Sequence, residues 1–75
     1  MKKNKLFLRE WRKALALSLR GLAELAEVDF AAIDKIERGK RDPRLSTLIA
    51  LADALGIEVQ RLFSAPPERR RGNKQ

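Results

Sequence analysis

The 75-residue chain carries 17 Lys and Arg against 10 Asp and Glu, a formal charge of +7, and 44% of its residues are hydrophobic. That length holds one domain with a small core and excludes two. Cysteine, histidine and tyrosine are absent, which excludes disulfides, thiolate zinc sites, a cysteine nucleophile, and the commonest general base and metal ligand. Ser18, Ser46, Ser64 and the carboxylates are all that is left for hydrolytic or transfer chemistry. The expectation is a binding module with no cofactor and no metal, not an enzyme.

Leu8, Trp11 and Leu15 recur at helical spacing and predict a first helix over about 5–15. Ser18 suits the N-cap of a second helix running through Leu22, Ala23, Leu25 and Ala26. Val28-Asp29 breaks that helix, and Asp29 suits the cap of a third over about 30–38, with Ile33 and Ile36 facing inward. Gly39 fits a left-handed C-terminal cap, and Arg41-Asp42-Pro43 reads as a turn. Ser46 is expected to cap a fourth helix bearing Leu48, Leu51, Ala52 and Leu55, which stops at Gly56. A last short helix holds Val59, Leu62 and Phe63 before Pro66. No β-alternation persists, so the fold class is all-α, with five short helices.

The charge is uneven. Within residues 1–13, Lys2, Lys3, Lys5, Arg9, Arg12 and Lys13 stand against Glu10, leaving +5. Residues 68–75 hold Arg69, Arg70, Arg71 and Lys74 against Glu68, leaving +3, and the stretch between is close to neutral. Inside that stretch, Arg38-Gly39-Lys40-Arg41-Asp42-Pro43-Arg44 concentrates four bases and one acid. Clustered bases attract polyanions without regard to sequence. Residues 68–75 follow Pro66-Pro67 with nothing apolar after them, which reads as a solvated tail. No apolar run approaches the ~20 residues of a membrane span. The basic start is followed by Arg9, Glu10, Arg12 and Lys13, which leaves no secretory core. A soluble cytoplasmic chain without membrane contact is expected.

Leu22, Ala23, Ala26, Val28, Ile33 and Ile36 are spaced as a helix-turn-helix requires, with small residues where the second helix crosses the first. An ordinary αα-corner would fit the same spacing. Three further blocks carry a resemblance: Leu-Ser-Leu-Arg-Gly-Leu-Ala at 17–23, Ile-Glu-Arg-Gly-Lys-Arg-Asp-Pro at 36–43, and Ser-Thr-Leu to Leu-Ala-Asp-Ala-Leu-Gly across 46–56. From about Leu8 to Phe63 the chain resembles the Cro/phage-repressor type, or XRE, helix-turn-helix proteins. The resemblance implies a five-helix, lambda-repressor-like DNA-binding domain over 8–63. Residues 1–7 would then be a basic arm and the start of helix one, and residues 64–75 a basic, disordered tail. It also implies a homodimer on a palindromic operator in double-stranded DNA, acting as a transcriptional regulator, most often a repressor.

Carried over by position, the third helix would enter the major groove with Phe30, Ala31, Ala32 and Lys35 toward base edges. Phosphate contacts would fall on Ser18 and Leu19 at the start of helix two, and on Arg38, Lys40, Arg41 and Arg44. Arg12 and Glu37 would form a structural ion pair. The chain departs from the family pattern at several positions. Leu19 stands where a glutamine often braces the reading helix, and Glu27 where the turn usually has glycine. A left-handed Glu27 would cost on the order of 1 kcal/mol. Gly21 replaces the acid that would complete a capping box with Ser18. Phe30, Ala31 and Ala32 donate no hydrogen bond to a base, which leaves Lys35, beside Asp34, as the polar reader. Modest specificity, or specificity from DNA shape, is expected. The alternative is a protein-interaction module on the same scaffold, antitoxin-like or degenerate, with Leu19, Phe30 and Ala31 as its apolar surface.

Overall fold

A computed structural model of the protein describes residues 6–67. Lys2, Lys3 and Lys5 of the expected arm, the predicted start of helix one at residue 5, and the expected tail over 68–75 lie outside the described residues. Four α-helices follow in order: α1 Leu8–Ala14, α2 Leu19–Ala26, α3 Phe30–Glu37 and α4 Leu45–Leu55. A five-residue 3₁₀ helix, Val59–Phe63, comes last. No strand forms among the described residues.

The predicted count of five helices is therefore corrected to four α-helices and one 3₁₀ helix. Between Gly56 and Pro66 the chain is extended at Glu58 (ψ 151°) and Ser64 (ψ 152°), which leaves five residues for the last element. It tightens into i→i+3 bonds, Arg61 N–H to Glu58 O at 2.9 Å and Ser64 N–H to Arg61 O at 3.1 Å. A second correction concerns Ser46, which does not cap α4. Pro43 leads into an extended Arg44 (ψ 161°), and Arg44 is the N-cap, without a side-chain bond. Its carbonyl accepts from Leu48 N–H at 3.0 Å, which places Ser46 already inside the first turn. Leu15 lies beyond α1 and is 46% exposed rather than part of a buried stripe.

All four α-helices end in the same way. After each, one residue turns left-handed: Ala16 (φ 59°), Glu27 (φ 58°), Gly39 (φ 74°) and Gly56 (φ 73°). The next N–H then reaches back to a carbonyl of the last turn. Leu17 bonds Arg12 O at 3.0 Å, Val28 bonds Ala23 O at 3.1 Å, Lys40 bonds Lys35 O at 2.9 Å and Ile57 bonds Ala52 O at 3.0 Å. In three of these closures the returning residue is apolar and packs on the core: Leu17, Val28 and Ile57. In the fourth it is the exposed Lys40. The chain after α3 is thereby released to the surface, where the cluster of bases begins.

Leu8, Trp11, Leu22, Ala23, Ala26, Ile33, Ile36, Leu51, Ala52, Leu55 and Leu62 form one core that draws on every element. Leu22, Ile33, Leu51 and Leu62 are fully buried, and each such side chain contributes about 1.5–3 kcal/mol by leaving water. The ends of the fold are sealed together. Phe7 N–H donates to Leu62 O at 2.8 Å. The Trp11 indole N–H lies 2.9 Å from both Arg61 O and Ser64 O. Arg61 also covers the indole face, 5.4 Å from its centre.

Glu27 gives a direct test of this geometry. Its carboxylate makes no ion pair or hydrogen bond among the described residues, so the side chain gives nothing back for its left-handed backbone. Glu27→Gly removes a steric cost of roughly 1–2 kcal/mol and adds about 0.5–1 kcal/mol of unfolded-chain entropy. The expected thermal midpoint is unchanged or a few degrees higher, read by calorimetry. A clear fall would show that the carboxylate has a role in the fold.

Candidate nucleic-acid interface

Two helix starts and one loop make the site. The Ser18 hydroxyl accepts from Gly21 N–H at 2.8 Å, so it caps the first turn of α2. The Asp29 carboxylate accepts from Ala32 N–H at 3.2 Å and does the same for α3. Between them the left-handed Glu27 reverses the chain, and the small buried residues Ala23 and Ala26 let the two helices approach. Ile33 and Ile36 anchor α3 to the core, leaving its opposite side outward.

Phe30 (41% exposed), Ala31 and Lys35 lie on the solvent side of α3, and Ala32 is half-buried. Ser18 is exposed at the head of α2, whereas Leu19 is half-buried and packs against the core. Arg38, Lys40, Arg41 and Arg44 are all exposed. A cleft of about 430 Å³ runs between α3, the following loop and the first turn of α4, and it brings Ala32 together with Arg41 and Arg44. Arg38 and Lys40 are not among its lining residues, and neither are Ser18 and Leu19, which stand at the start of α2.

The acids near the site are engaged locally. Asp34, beside the expected reader Lys35, accepts from Arg38 Nε at 3.3 Å. Such an exposed i,i+4 pair contributes only a few tenths of a kcal/mol, roughly 0.3–0.5. Glu37 turns inward, with a side chain only 2% exposed. Arg12 grips it in a fork, Nε to Oε2 at 2.8 Å and Nη2 to Oε1 at 3.1 Å. Arg9 Nε stands 3.5 Å from the same carboxylate. Arg12 also donates to Leu17 O at 2.9 Å, so one guanidinium ties α1, the α1–α2 turn and the end of α3 together. The hydrogen bond to Glu37 raises the Arg12 guanidinium above its ordinary value, against the opposing pull of burial.

Sequence reasoning missed three side chains here. Ser46 and Thr47 line the cleft from the first turn of α4, and the expectation of a capping role for Ser46 hid this. Arg20, in the first turn of α2, places its guanidinium carbon 5.1 Å from the centre of the Phe30 ring. A base in the first turn of the helix that precedes α3 was the available signal.

A helix-turn-helix family model matches residues 8–62. The chain belongs to the helix-turn-helix family of XRE type. It is 38% identical over 56 residues to the HTH-type transcriptional regulator DdrOP3 of Deinococcus deserti, a match covering 75% of this chain and 43% of that protein. The chain thus spans less than half the length of that curated relative. Among solved structures it resembles the restriction-modification controller protein C.AhdI from Aeromonas hydrophila, with 42% identity and a TM-score of 0.72 over 73% of this chain and 83% of that one. It also resembles the N-terminal DNA-binding domain of SinR from Bacillus subtilis, with 29% identity and a TM-score of 0.72 over 81% and 90% of the two chains. No helix among the described residues is long and apolar enough to cross a membrane.

Proposed function

We propose that this chain is a transcriptional regulator that binds double-stranded DNA with a sequence preference and performs no catalysis. The observation that carries this reading is the alignment of the first turn of α3 with two bases, since Ala32 shares one cleft with Arg41 and Arg44. A recognition helix in the major groove needs flanking cations at the phosphates to set its register. Ser18, Leu19, Arg38 and Lys40 extend that backbone contact on either side, and Phe30, Ala31, Ala32 and Lys35 meet base edges. Under this reading residues 8–63 are the DNA-binding unit and the protein works in the cytoplasm as a repressor. A homodimer on a palindromic operator completes it. Phe63, 40% exposed next to the fully buried Leu62, is the exposed apolar residue that the last element offers a partner protomer.

The protein-partner alternative has less surface than the sequence promised. Leu19 packs partly on the core and the Arg20 guanidinium lies over the Phe30 ring, so a charge sits within the apolar surface of Leu19, Phe30 and Ala31.

Selection of bound duplexes from a random DNA pool is the test. The expected result is enrichment of a two-fold symmetric site with half-site centres about one helical turn apart. Binding to it should fall steeply with salt. An unenriched pool, with DNA binding absent at low salt, would overturn the reading.

A further inference from the structure

The first turn of α3 is chemically poor for reading bases. Phe30, Ala31 and Ala32 have no hydrogen-bonding side chain, and discrimination between base pairs in the major groove rests mainly on bidentate donors and acceptors. Arg20 stands beside this turn with its guanidinium over the Phe30 ring, 5.1 Å from the centroid. Both side chains are at the surface. Among the described residues nothing accepts a hydrogen bond from Arg20, and no carboxylate pairs with it.

We propose that Arg20, held over Phe30, is a further base-reading residue of this protein, and that it recognises a guanine at the edge of the half-site where α2 meets α3. The inference rests on the DNA-binding reading above. An arginine over an aromatic face is attracted by the ring quadrupole, and that attraction uses the face of the guanidinium, not its N–H edge. The in-plane donors stay available, and their fork fits the O6 and N7 acceptors of guanine. Position supports a base over a phosphate. An arginine alone in the first turn of α2 would lie along the DNA backbone, because the first helix of the pair crosses it. Phe30 is the first residue of α3, the helix that enters the groove, and the stack draws the charge from the backbone side to the groove side. The ring is thus a positioning group and the guanidinium the reader.

The test is quantitative binding of the full chain to its selected duplex and to every single-base variant of it. Arg20→Ala, Arg20→Lys and Phe30→Leu are compared with the unaltered protein, with thermal unfolding recorded for each. Arg20→Ala should reduce discrimination at one guanine by about tenfold or more and leave preferences elsewhere in the site intact. Arg20→Lys keeps the charge but not the fork, so it should not restore the lost preference. Phe30→Leu keeps an apolar residue but removes the π face, and should weaken preference at that same base pair. If Arg20→Ala instead weakens all sequences equally and lowers the salt slope by about one, Arg20 is a phosphate contact and the inference is wrong. No change with Arg20→Ala overturns it too. Failure of the DNA-binding reading is distinct, because it appears in the unaltered protein as the absence of any selected site.

Discussion

Replacing Glu37 by alanine is expected to cost the domain about 3–5 kcal/mol, the range for removing one member of a buried ion pair. The carboxylate is almost wholly enclosed at the end of α3, while its main partner Arg12 is itself only 12% exposed. Without the acceptor, the guanidinium stays beneath the surface with one remaining bond, to Leu17 O. A domain of this size loses roughly 4–8 °C of midpoint per kcal/mol, so a fall of about 12 °C or more is expected. The double variant Arg12→Leu with Glu37→Leu removes both charges together and should recover much of the loss. Thermal unfolding of both variants checks this, and a Glu37→Ala loss below about 1 kcal/mol, the surface-pair range, would refute it. On the arginine side the pair is insensitive to pH. A base whose folded value is raised contributes fully below its unfolded value and loses that contribution only as pH climbs through the raised one, far into alkali for Arg12.

Removing the cations of the α3–α4 segment should have the largest effect on binding. With Arg38, Lys40, Arg41 and Arg44 all changed to alanine, each lost phosphate contact lowers the slope of log affinity against log salt by about 0.9. The four together should reduce it by roughly 3–4. Selected and random duplexes should weaken in proportion, because phosphate contacts carry no sequence information. The fold should barely change. These side chains are exposed, and among the described residues the one ion pair they make is Arg38 with Asp34, four residues earlier. Salt titrations of binding with both duplexes, beside an unfolding curve, decide the matter. An unchanged slope would remove these bases from the interface.

The two central helices were legible because local chemistry and global packing agree there. Ser18 and Asp29 both accept from the backbone three residues on, and Ile33 and Ile36 both reach the core. Gly39 and Gly56 mark the ends of their helices by the left-handed backbone that glycine tolerates. Ala16 closes α1 with the same backbone but without a glycine to announce it, so that turn was hidden. The start of α4 was misread because two neighbouring signals compete, a serine suited to capping and a proline that fixes where the extended chain stops. Pro43 keeps Asp42 before it out of helical backbone, Arg44 is extended, and the helix begins directly after it. The last element had helical spacing, but extended Glu58 and Ser64 confine it to five residues, which form a 3₁₀ helix. The Arg20–Phe30 stack joins residues on different helices, and spacing along one chain does not reveal such a contact.

The seal between the first and last elements has a spectroscopic consequence. Trp11 is the chain's one tryptophan and tyrosine is absent, so near-ultraviolet emission arises from a single indole. That indole is buried and bonded to the carbonyls of Arg61 and Ser64. A chain in which only α2 and α3 had formed would leave it in water, with red-shifted emission. The fluorescence of this protein is therefore an intrinsic reporter of whether its two ends have closed, not of whether helix is present. Compared with helical circular dichroism on the same sample, it tells a domain that melts as one unit from one that opens first at its ends.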